Sequence, residues 1–363
     1  MEKISLASGA SYFLTPEPGS LAAVKAIQEH KTYYGLTEGT IALREAIAQR
    51  YRQVNKAVVS PDQILITPGT KQALFNVLSN ILKPGDEVIV PMPNWFGLHQ
   101  VLQTLQAQII LWPINPDNNY QLLPADLEKL ITSKTRLLLI SNPCNPTGRV
   151  YPEQEIQALL DVLEQHPHIY LLSDEIYDLI TYGKTVPSLT QFPDQHQRYL
   201  VVNGFSKAFA MSGWRIGYLI TPPTLYAPCV AFQQTTFSGV SEFVQAAAQA
   251  VMADRNNVLP PMLAILSQQR AQILKFLEHH QIPVFRPEAA YYVFPDLSMF
   301  LSEAIPTTIA LNEYLQENYA LEILPGDYFG APGYARLSFA LPADKLNTAL
   351  ERLVGAFEQL IKK

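Results

Sequence analysis

The chain has 363 residues, of which 48% are hydrophobic and 16% charged, and these values are typical of a folded protein with enough length for two domains. Its net charge of −6 argues against a nucleic-acid partner and against a polybasic membrane anchor. Two cysteines, Cys144 and Cys229, are too few for a disulfide framework or a metal cage, so we expect reduced thiols and no metal site. No run approaches the roughly 18 apolar residues of a membrane span, and the first residues lack the apolar core of a secretion signal. These features predict a cytoplasmic protein without a membrane partner.

The first 60 residues are predicted to contain two helices. Residues 1–20 are expected to be extended, and Ser20 is expected to cap a helix through LAAVKAIQEH. Thr37 is expected to cap the second helix. Its apolar positions recur at roughly helical spacing: Ile41, Leu43, Ile47 and Tyr51.

Apolar strands alternate with helical segments over residues 60–220. The predicted strands are QILIT, DEVIVPMP, IILWPI, RLLLIS, IYLLSD, RYLVVNG and WRIGYLI. The predicted helices between them are KQALFNVLSNIL, LHQVLQTLQ, PADLEKLI and PEQEIQALLDVLEQH. This alternation predicts an α/β fold with an open, mostly parallel sheet covered by helices on both faces. Ligands of such sheets bind at the carboxyl ends of the strands.

The last third of the chain has a different pattern. Residues 243–301 are predicted to be mainly helical, with a long helix near residues 260–280. VFRPEAAYYVFPDL, LEILPGDYFG and YARLSFA are predicted strands, and KLNTALERLVGAFEQLI is a closing helix. We therefore expect a large domain over residues 39–258 and a smaller α+β domain formed by residues 1–38 and 259–363. The 28 prolines are interpreted as turn punctuation.

The turn after the first strand of the sheet is a candidate anion site. Gly69, Thr70 and Lys71 place backbone N–H groups at the start of a helix, where an anion is favoured by unpaired donors and by the helix dipole. Taken alone, an ordinary strand-to-helix turn explains these residues equally well.

Residues 173–218 carry the strongest chemical pattern. Asp174 ends an apolar strand, Tyr177 follows it, Lys207 lies in a turn of small residues, and Arg215 comes eight residues later. A lysine amine condenses with an aldehyde, an acid holds a pyridine nitrogen protonated, and an arginine clamps a phosphate. Alone, such an aspartate is more often a helix cap and such a lysine more often solvated. Together the four residues describe a site for pyridoxal phosphate.

Seven motifs in order resemble a known family. They are YxxxxGxxxLR at residues 34–44, PGTKQAL, PNW, NPCNPTG, SDEIYD, FSKAFAMSGWRIGY and ARLSFA. This series, over residues 9–336, resembles the class I/II aminotransferases of the aspartate aminotransferase superfamily, which are fold type I pyridoxal-phosphate enzymes. The resemblance implies pyridoxal 5′-phosphate as cofactor and a large domain with an α/β/α sheet.

The resemblance also implies roles around the cofactor ring. Lys207 resembles the lysine that holds the cofactor as a Schiff base and then, once freed, moves the substrate proton. Asp174 would pair with the pyridine nitrogen. Tyr177 and Asn145 would bind the ring phenolate and lower the pKa of the Schiff base. Trp95 would stack on the ring, although a tryptophan after a strand is more often part of a core.

Further roles follow from the same resemblance. One set of residues would hold the phosphate: Gly69, Thr70, Lys71, Ser206 and Arg215. Arg336 and Asn145 would bind the substrate carboxylate, and Gly9 would lie where the N-terminal segment closes over it. Tyr34 resembles a tyrosine that reaches the neighbouring subunit's phosphate, which implies a homodimer.

Two positions depart from the pattern of many relatives. Gly204 stands where many have a serine that contacts the phosphate, so Ser206 or Arg215 would have to suffice. Cys144 stands where a polar residue is usual, and we expect it to pack rather than react.

The implied reaction is a ping-pong transfer of the amino group of an L-amino acid to a 2-oxo acid, commonly 2-oxoglutarate. Lys71 matches a lysine that meets the distal carboxylate of aspartate in one subgroup, which favours an acidic donor. An aromatic set would equally suit an aromatic or methionine donor: Tyr12, Phe13, Trp95, Phe96, Tyr291 and Tyr292. A carbon–sulfur β-lyase on the same scaffold remains an alternative. A non-catalytic effector-binding module is disfavoured, since no winged-helix region or basic patch is present.

Overall fold

The computed structural model describes residues 2–361. Its strands are, in chain order, β1 (Ile4–Ser5), β2 (Ile64–Thr67), β3 (Glu87–Met92), β4 (Gln108–Pro113), β5 (Thr135–Ser141), β6 (Tyr170–Asp174), β7 (Tyr199–Gly204), β8 (Gly217–Ile220), β9 (Tyr292–Val293), β10 (Leu321–Glu322), β11 (Leu324–Pro325) and β12 (Ala335–Ser338). Its helices are α1 (Glu17–Gln28), α2 (Ile41–Asn55), α3 (Thr70–Ile81), α4 (Gly97–Thr104), α5 (Pro124–Leu130), α6 (Glu153–Glu164), α7 (Pro223–Thr236), α8 (Glu242–Ala253), α9 (Arg255–His279), α10 (Thr308–Tyr319) and α11 (Ala343–Ile361).

A seven-stranded sheet in the order β2-β8-β7-β6-β5-β3-β4 forms the centre of the protein. Only β8 is antiparallel to its neighbours, β2 and β7. Along β2, Ile64 and Ile66 lie in one apolar cluster and Leu65 in the other, because alternate side chains point to opposite faces. Helices cover both faces, which is why strands such as β2, β3, β7 and β8 are buried along their whole length. The predicted α/β fold with a mostly parallel sheet is confirmed.

Two small sheets lie outside the central one. β1 pairs with β10 in parallel, so that Ile4 lies opposite Leu321. β12 lies between β11 and β9 in an antiparallel sheet. The division into two domains stays a prediction. The boundary predicted near residue 258 falls inside the continuous helix α9.

Two predicted helix caps are wrong. α1 begins at Glu17, three residues before Ser20, directly after Pro16. Pro18 fits the first turn of the helix, because backbone N–H groups there make no hydrogen bond within the helix and proline lacks this group. α2 is preceded by Thr40 rather than Thr37. The hydroxyl of Thr37 instead contacts the side-chain oxygen of Gln234 on α7.

The helical region predicted for residues 243–301 ends earlier, at His279. The strand predicted around Tyr292 contains only two residues. Residues on either side of it form isolated β-bridges instead, Ala289 with Thr181 and Pro295 with Val284. LEILPGDYFG forms β10 and β11 and then a single 3₁₀ turn. α7 and α10 were not predicted. Pro228, Pro260 and Pro261 lie inside helices, so the interpretation of prolines as turn residues is wrong at these three positions.

Both cysteines are buried and free. Within residues 2–361 no helix is long and apolar enough to cross a membrane, and the cytoplasmic location stays a prediction. The same residues contain no cluster of three or more His, Cys, Asp or Glu side chains arranged for a metal ion.

Candidate active site

A cleft of about 370 Å³ opens where the carboxyl ends of β5, β6 and β7 meet the N-terminal segment and β12. Most of the predicted site residues line it: Gly9, Thr70, Lys71, Trp95, Asn145, Asp174, Tyr177, Ser206, Lys207, Arg215 and Arg336. Gly69 does not line the cleft itself but lies against the guanidinium of Arg215. Tyr34 is outside this cleft and is 95% exposed.

The amine of Lys207 lies in the cleft just after β7. It donates a hydrogen bond to the carbonyl oxygen of Gly9 at 2.7 Å. Burial lowers the pKa of the amine, and the guanidinium groups of Arg336 and Arg215 act in the same direction. A lowered pKa favours the neutral, nucleophilic amine.

Asp174 ends β6 and contributes a carboxylate to the same cleft. Burial raises its pKa to about 6, against the opposing effect of the Ile176 backbone N–H, which donates to it at 3.2 Å. Among residues 2–361 no cationic side chain lies within 4.0 Å of it. A buried carboxylate without a cation is costly, so a positively charged ligand group would relieve it.

The anion site predicted at the start of α3 has the expected geometry. Gly69 precedes the helix with φ of 89°, and the first N–H groups of α3 have no partner within the helix. Arg215 also has a positive φ, 54°, and its Nη1 donates to the carbonyl oxygen of Ser212 at 2.8 Å. A methyl group added at Gly69 would lie 2.4 Å from Arg215 Nη2, so only glycine lets the guanidinium approach the helix start.

The structure explains why a glycine is favoured at position 204. Gly204 and Gly217 are paired neighbours on β7 and β8. A Cβ at Gly204 would lie 2.9 Å from the Gly217 Cα, and one at Gly217 would lie 2.9 Å from the Thr70 nitrogen. The two glycines therefore let the start of α3 rest directly on the sheet.

Arg336 is a buried guanidinium with incomplete bonding. It is 4% exposed; Nη1 donates to Asn145 Oδ1 at 3.0 Å and Nη2 to the Ala7 carbonyl oxygen at 2.9 Å. Its Nε is buried and has no partner, and no described carboxylate lies within 4.0 Å. The guanidinium lies 4.1 Å from the centre of the Tyr292 ring. A carboxylate ligand would complete its bonding.

Residues 6–15, called the strap below, cross one side of the cleft. The Leu6 carbonyl accepts from the Ser338 N–H at 2.7 Å, and the Thr15 hydroxyl accepts from Trp214 Nε1 at 2.8 Å. Between these anchors the Gly9 carbonyl points to Lys207. The strap therefore separates the lysine from solvent on this side.

Trp95 and Lys71 also line the cleft. A Cβ at Gly97 would lie 2.1 Å from the Trp95 ring, so the glycine makes room for the indole against α4. Lys71 Nζ lies 5.3 Å from the centre of that ring, within range of a cation–π contact. The Lys71 side chain is exposed and has no acidic partner within 4.0 Å among the described residues.

Several lining residues were not named as site candidates: Ala7, Ser141, Pro143, Ile176, Ser212 and Leu324. Most adjoin recognised motifs and could have been found from them. Leu324 lies in a two-residue strand that carries no periodic pattern. Of the aromatic set, Trp95, Phe96 and Tyr292 line the cleft, whereas Tyr12, Phe13 and Tyr291 do not.

Cys144 is buried beside the site. Its Sγ lies 3.7 Å from the Pro93 carbonyl oxygen, and burial raises the pKa of the thiol. A neutral, buried thiol is a poor nucleophile, which agrees with a packing role.

Known proteins are similar to this chain in sequence and in fold. Residues 1–353 match the family model for aminotransferase class I and II. A Petunia hybrida bifunctional aspartate aminotransferase and glutamate/aspartate-prephenate aminotransferase is 34% identical over 97% of this chain and 76% of its own length. A probable aspartate/prephenate aminotransferase of Aquifex aeolicus is 31% identical over 99% of this chain and 92% of its own.

Solved structures agree. The aspartate aminotransferase of Thermus thermophilus with maleate has a TM-score of 0.93 at 32% identity, covering 98% of this chain and 92% of that one. An aromatic aminotransferase of Pyrococcus horikoshii has a TM-score of 0.92 at 30% identity, covering 99% and 95%. The fold is that of the fold type I pyridoxal-phosphate enzymes. The chain belongs to the aminotransferase class I and II family, and its activity is the transfer of an amino group.

Proposed function

We propose that the chain binds pyridoxal phosphate in this cleft and uses it to move the amino group of an L-amino acid to a 2-oxo acid. One observation carries the proposal. Within residues 2–361, a half-buried amine, a half-buried carboxylate with no cation beside it, a buried guanidinium with no carboxylate beside it and a helix start next to an arginine all line the same cleft.

The residues present fit the cofactor. Asp174 supplies the charge that a protonated ring nitrogen requires, and the space at Gly69 beside Arg215 suits a phosphate. The full phosphate set would be Gly69, Thr70, Lys71, Ser206 and Arg215. Tyr177 and Asn145 would bind the ring hydroxyl oxygen, and Trp95 would cover the ring face. When bound, the cofactor supplies an electron sink for the electron pair released at the substrate α-carbon.

The protein's own groups do the rest. Lys207, whose amine has a pKa lowered by burial, takes the α-proton and returns it. Arg336 and Asn145 hold the substrate carboxylate and so orient the α-carbon. The strap excludes water on the Gly9 side.

An acidic donor is favoured. Lys71 has no acidic partner and stands at the cleft edge, where a second carboxylate of the substrate would reach it. The relatives named for aspartate and prephenate support the same choice, since both compounds carry two carboxylates. An aromatic donor is the second candidate, because Phe96 lines the cleft and lies 6.1 Å from Tyr328, ring centre to ring centre. No relative given above is a lyase by name.

The absorption spectrum of the loaded protein tests the activity. The protein loaded with pyridoxal phosphate is expected to be yellow. Adding the amino acid that is the donor, found by testing a panel one at a time, should remove the yellow absorption as the cofactor becomes pyridoxamine phosphate, and 2-oxoglutarate should restore it. Lys207→Ala should retain cofactor but lose turnover by about 10³-fold or more, because the proton-transfer group is gone. A protein that takes up no cofactor, or a Lys207→Ala variant with near wild-type turnover, would refute the assignment.

Substrate choice is tested at Lys71. Lys71→Ser should lower kcat/KM for aspartate by about 10- to 100-fold and leave kcat/KM for phenylalanine within about threefold, since only aspartate has a second carboxylate. The phenylalanine reaction is the internal control for cofactor binding. An unchanged ratio of the two values removes the argument for an acidic donor.

We also propose a homodimer in which Tyr34 reaches the partner's phosphate site. Seven large apolar side chains within residues 21–41 are exposed: Leu21, Val24, Ile27, Tyr33, Tyr34, Leu36 and Ile41. Such a concentration of exposed apolar surface is typical of a protein interface.

A further inference from the structure

The hydroxyl of Tyr292 occupies a position that the function above does not use. It lies 2.8 Å from the Tyr177 hydroxyl and 3.2 Å from the Gly9 carbonyl oxygen. Its ring is buried, with the centre of the Tyr177 ring at 5.7 Å and the Arg336 guanidinium at 4.1 Å. Packing of the ring and these two hydroxyl contacts therefore hold the hydroxyl in place.

The Gly9 carbonyl has little capacity left for Tyr292. A carbonyl oxygen has two lone pairs. Lys207 Nζ donates to it at 2.7 Å and the Tyr291 hydroxyl at 2.8 Å, and both bonds are shorter than the 3.2 Å contact of Tyr292. While the lysine amine is free, the single proton of Tyr292 is best donated to the Tyr177 hydroxyl at 2.8 Å.

A hydrogen bond donated by Tyr292 affects the proton of the Tyr177 hydroxyl. Burial raises the pKa of Tyr177 well above 10, so its hydroxyl keeps its proton at physiological pH. Since the hydroxyl accepts from Tyr292, its own proton is free to point into the cleft. A hydroxyl that accepts one hydrogen bond is also a stronger donor in the next, because successive bonds polarise each other.

We propose that Tyr292 is a positioning residue that donates to Tyr177 and thereby directs the Tyr177 proton to the ring oxygen of the bound cofactor. The inference rests on the proposed function for the presence of that ring. Tyr291 supplies a matched control in the same chain. Its hydroxyl bonds to the same Gly9 carbonyl, but no hydrogen bond joins it to Tyr177 among the described residues.

The test measures equilibrium binding to the cofactor-free protein. Pyridoxamine phosphate leaves the Lys207 amine free, as in the structure, and carries the ring hydroxyl; its 3-deoxy analogue lacks only that hydroxyl. The ratio of the two dissociation constants reports the bond from Tyr177. Tyr177→Phe should abolish the preference for the hydroxylated ligand. Tyr292→Phe should reduce it by about fivefold, and Tyr291→Phe should leave it within about twofold of wild type.

Each outcome decides the question. An unchanged preference in Tyr292→Phe, or equal losses in Tyr291→Phe and Tyr292→Phe, would overturn the inference, because Tyr292 would then act only on the strap. Loss of both ligands by Tyr292→Phe alone would also overturn it, since the role would be structural. Wild-type protein that binds neither ligand would instead refute the proposed cofactor, which separates that failure from this one.

Discussion

The carboxylate of Asp174 destabilises the cofactor-free protein when it is charged. Its pKa is about 6 in the folded chain and near 4 when unfolded, so between these values the folded state binds more protons. Stability therefore falls as the pH rises from about 4 to about 6. Asp174→Asn should stabilise the cofactor-free protein by about 3 kcal/mol at pH 8 and by less than about 0.5 kcal/mol near pH 4.

Urea unfolding of both proteins at the two pH values measures this difference. Other acids, including Glu175 with a pKa of about 7, are present in both proteins and cancel in the comparison. A stabilisation that is equal at pH 4 and pH 8 would show that the amide, rather than the removed charge, causes the effect.

Single residues with strong local motifs were predictable. The sequence predicted that Lys207, Asp174 and Arg336 lie together, because each belongs to a short motif whose order is informative, and all three line the cleft. The part played by the Tyr292 hydroxyl was not predictable, because its partners Tyr177 and Gly9 are distant in the sequence. An aromatic residue in an apolar run indicates a core position equally well.

At the level of elements, the paired glycines of β7 and β8 determine how close α3 comes to the sheet. Gly204 does not have a positive φ, so a larger residue would cost steric contact rather than backbone strain. Gly204→Ser should therefore force the start of α3 away from the sheet. Destabilisation by about 1–3 kcal/mol is expected in urea unfolding.

Gly213→Ala is the matched control for that variant, because its added methyl group would meet nothing within 4 Å. It should change stability by less than about 0.5 kcal/mol. Equal stability of Gly204→Ser and wild type would mean that the strands adjust and that the close approach is not required.

Elements with a clear hydrophobic period were predicted, and elements defined by distant pairing were not. The strands of the central sheet are continuous apolar runs that end in polar turns. α7 contains Pro228 and has apolar residues on adjacent positions, which hides its helical period. α10 did offer a signal, since the Thr307 hydroxyl accepts from the Ala310 N–H at 3.2 Å as a helix cap. β1 and β10 have two residues each and depend on one another.

For the whole molecule, the proposed dimer gives a test by subunit mixing. Tyr34→Ala should weaken cofactor binding at the partner's site, and Lys207→Ala should be inactive at its own. A mixed dimer would combine an intact Lys207 in one subunit with an intact Tyr34 from the other. The two variants are unfolded, mixed in equal amounts and refolded together, so that half of the dimers contain one subunit of each. This mixture should therefore restore about a quarter of wild-type activity at limiting cofactor.

Sedimentation of the wild-type protein provides the companion measurement and should give the mass of two chains. Mixtures whose activity is only the average of the two separate variants would contradict the shared site, even if a dimer forms. A monomer at micromolar concentration would contradict the dimer itself.

The pairing of β1 with β10, and of Ala7 with Arg336 across 329 residues of sequence, has a consequence for synthesis in the cell. The strap leaves the ribosome early, whereas its partners emerge near the end of translation. The central sheet is complete by residue 220 and is able to form while the rest of the chain is being made. Until Arg336 has emerged from the ribosome, the sheet that carries Lys207 is able to fold but the proposed carboxylate-binding group is missing. We therefore expect no amino-group transfer before Arg336 has emerged and contacted the strap.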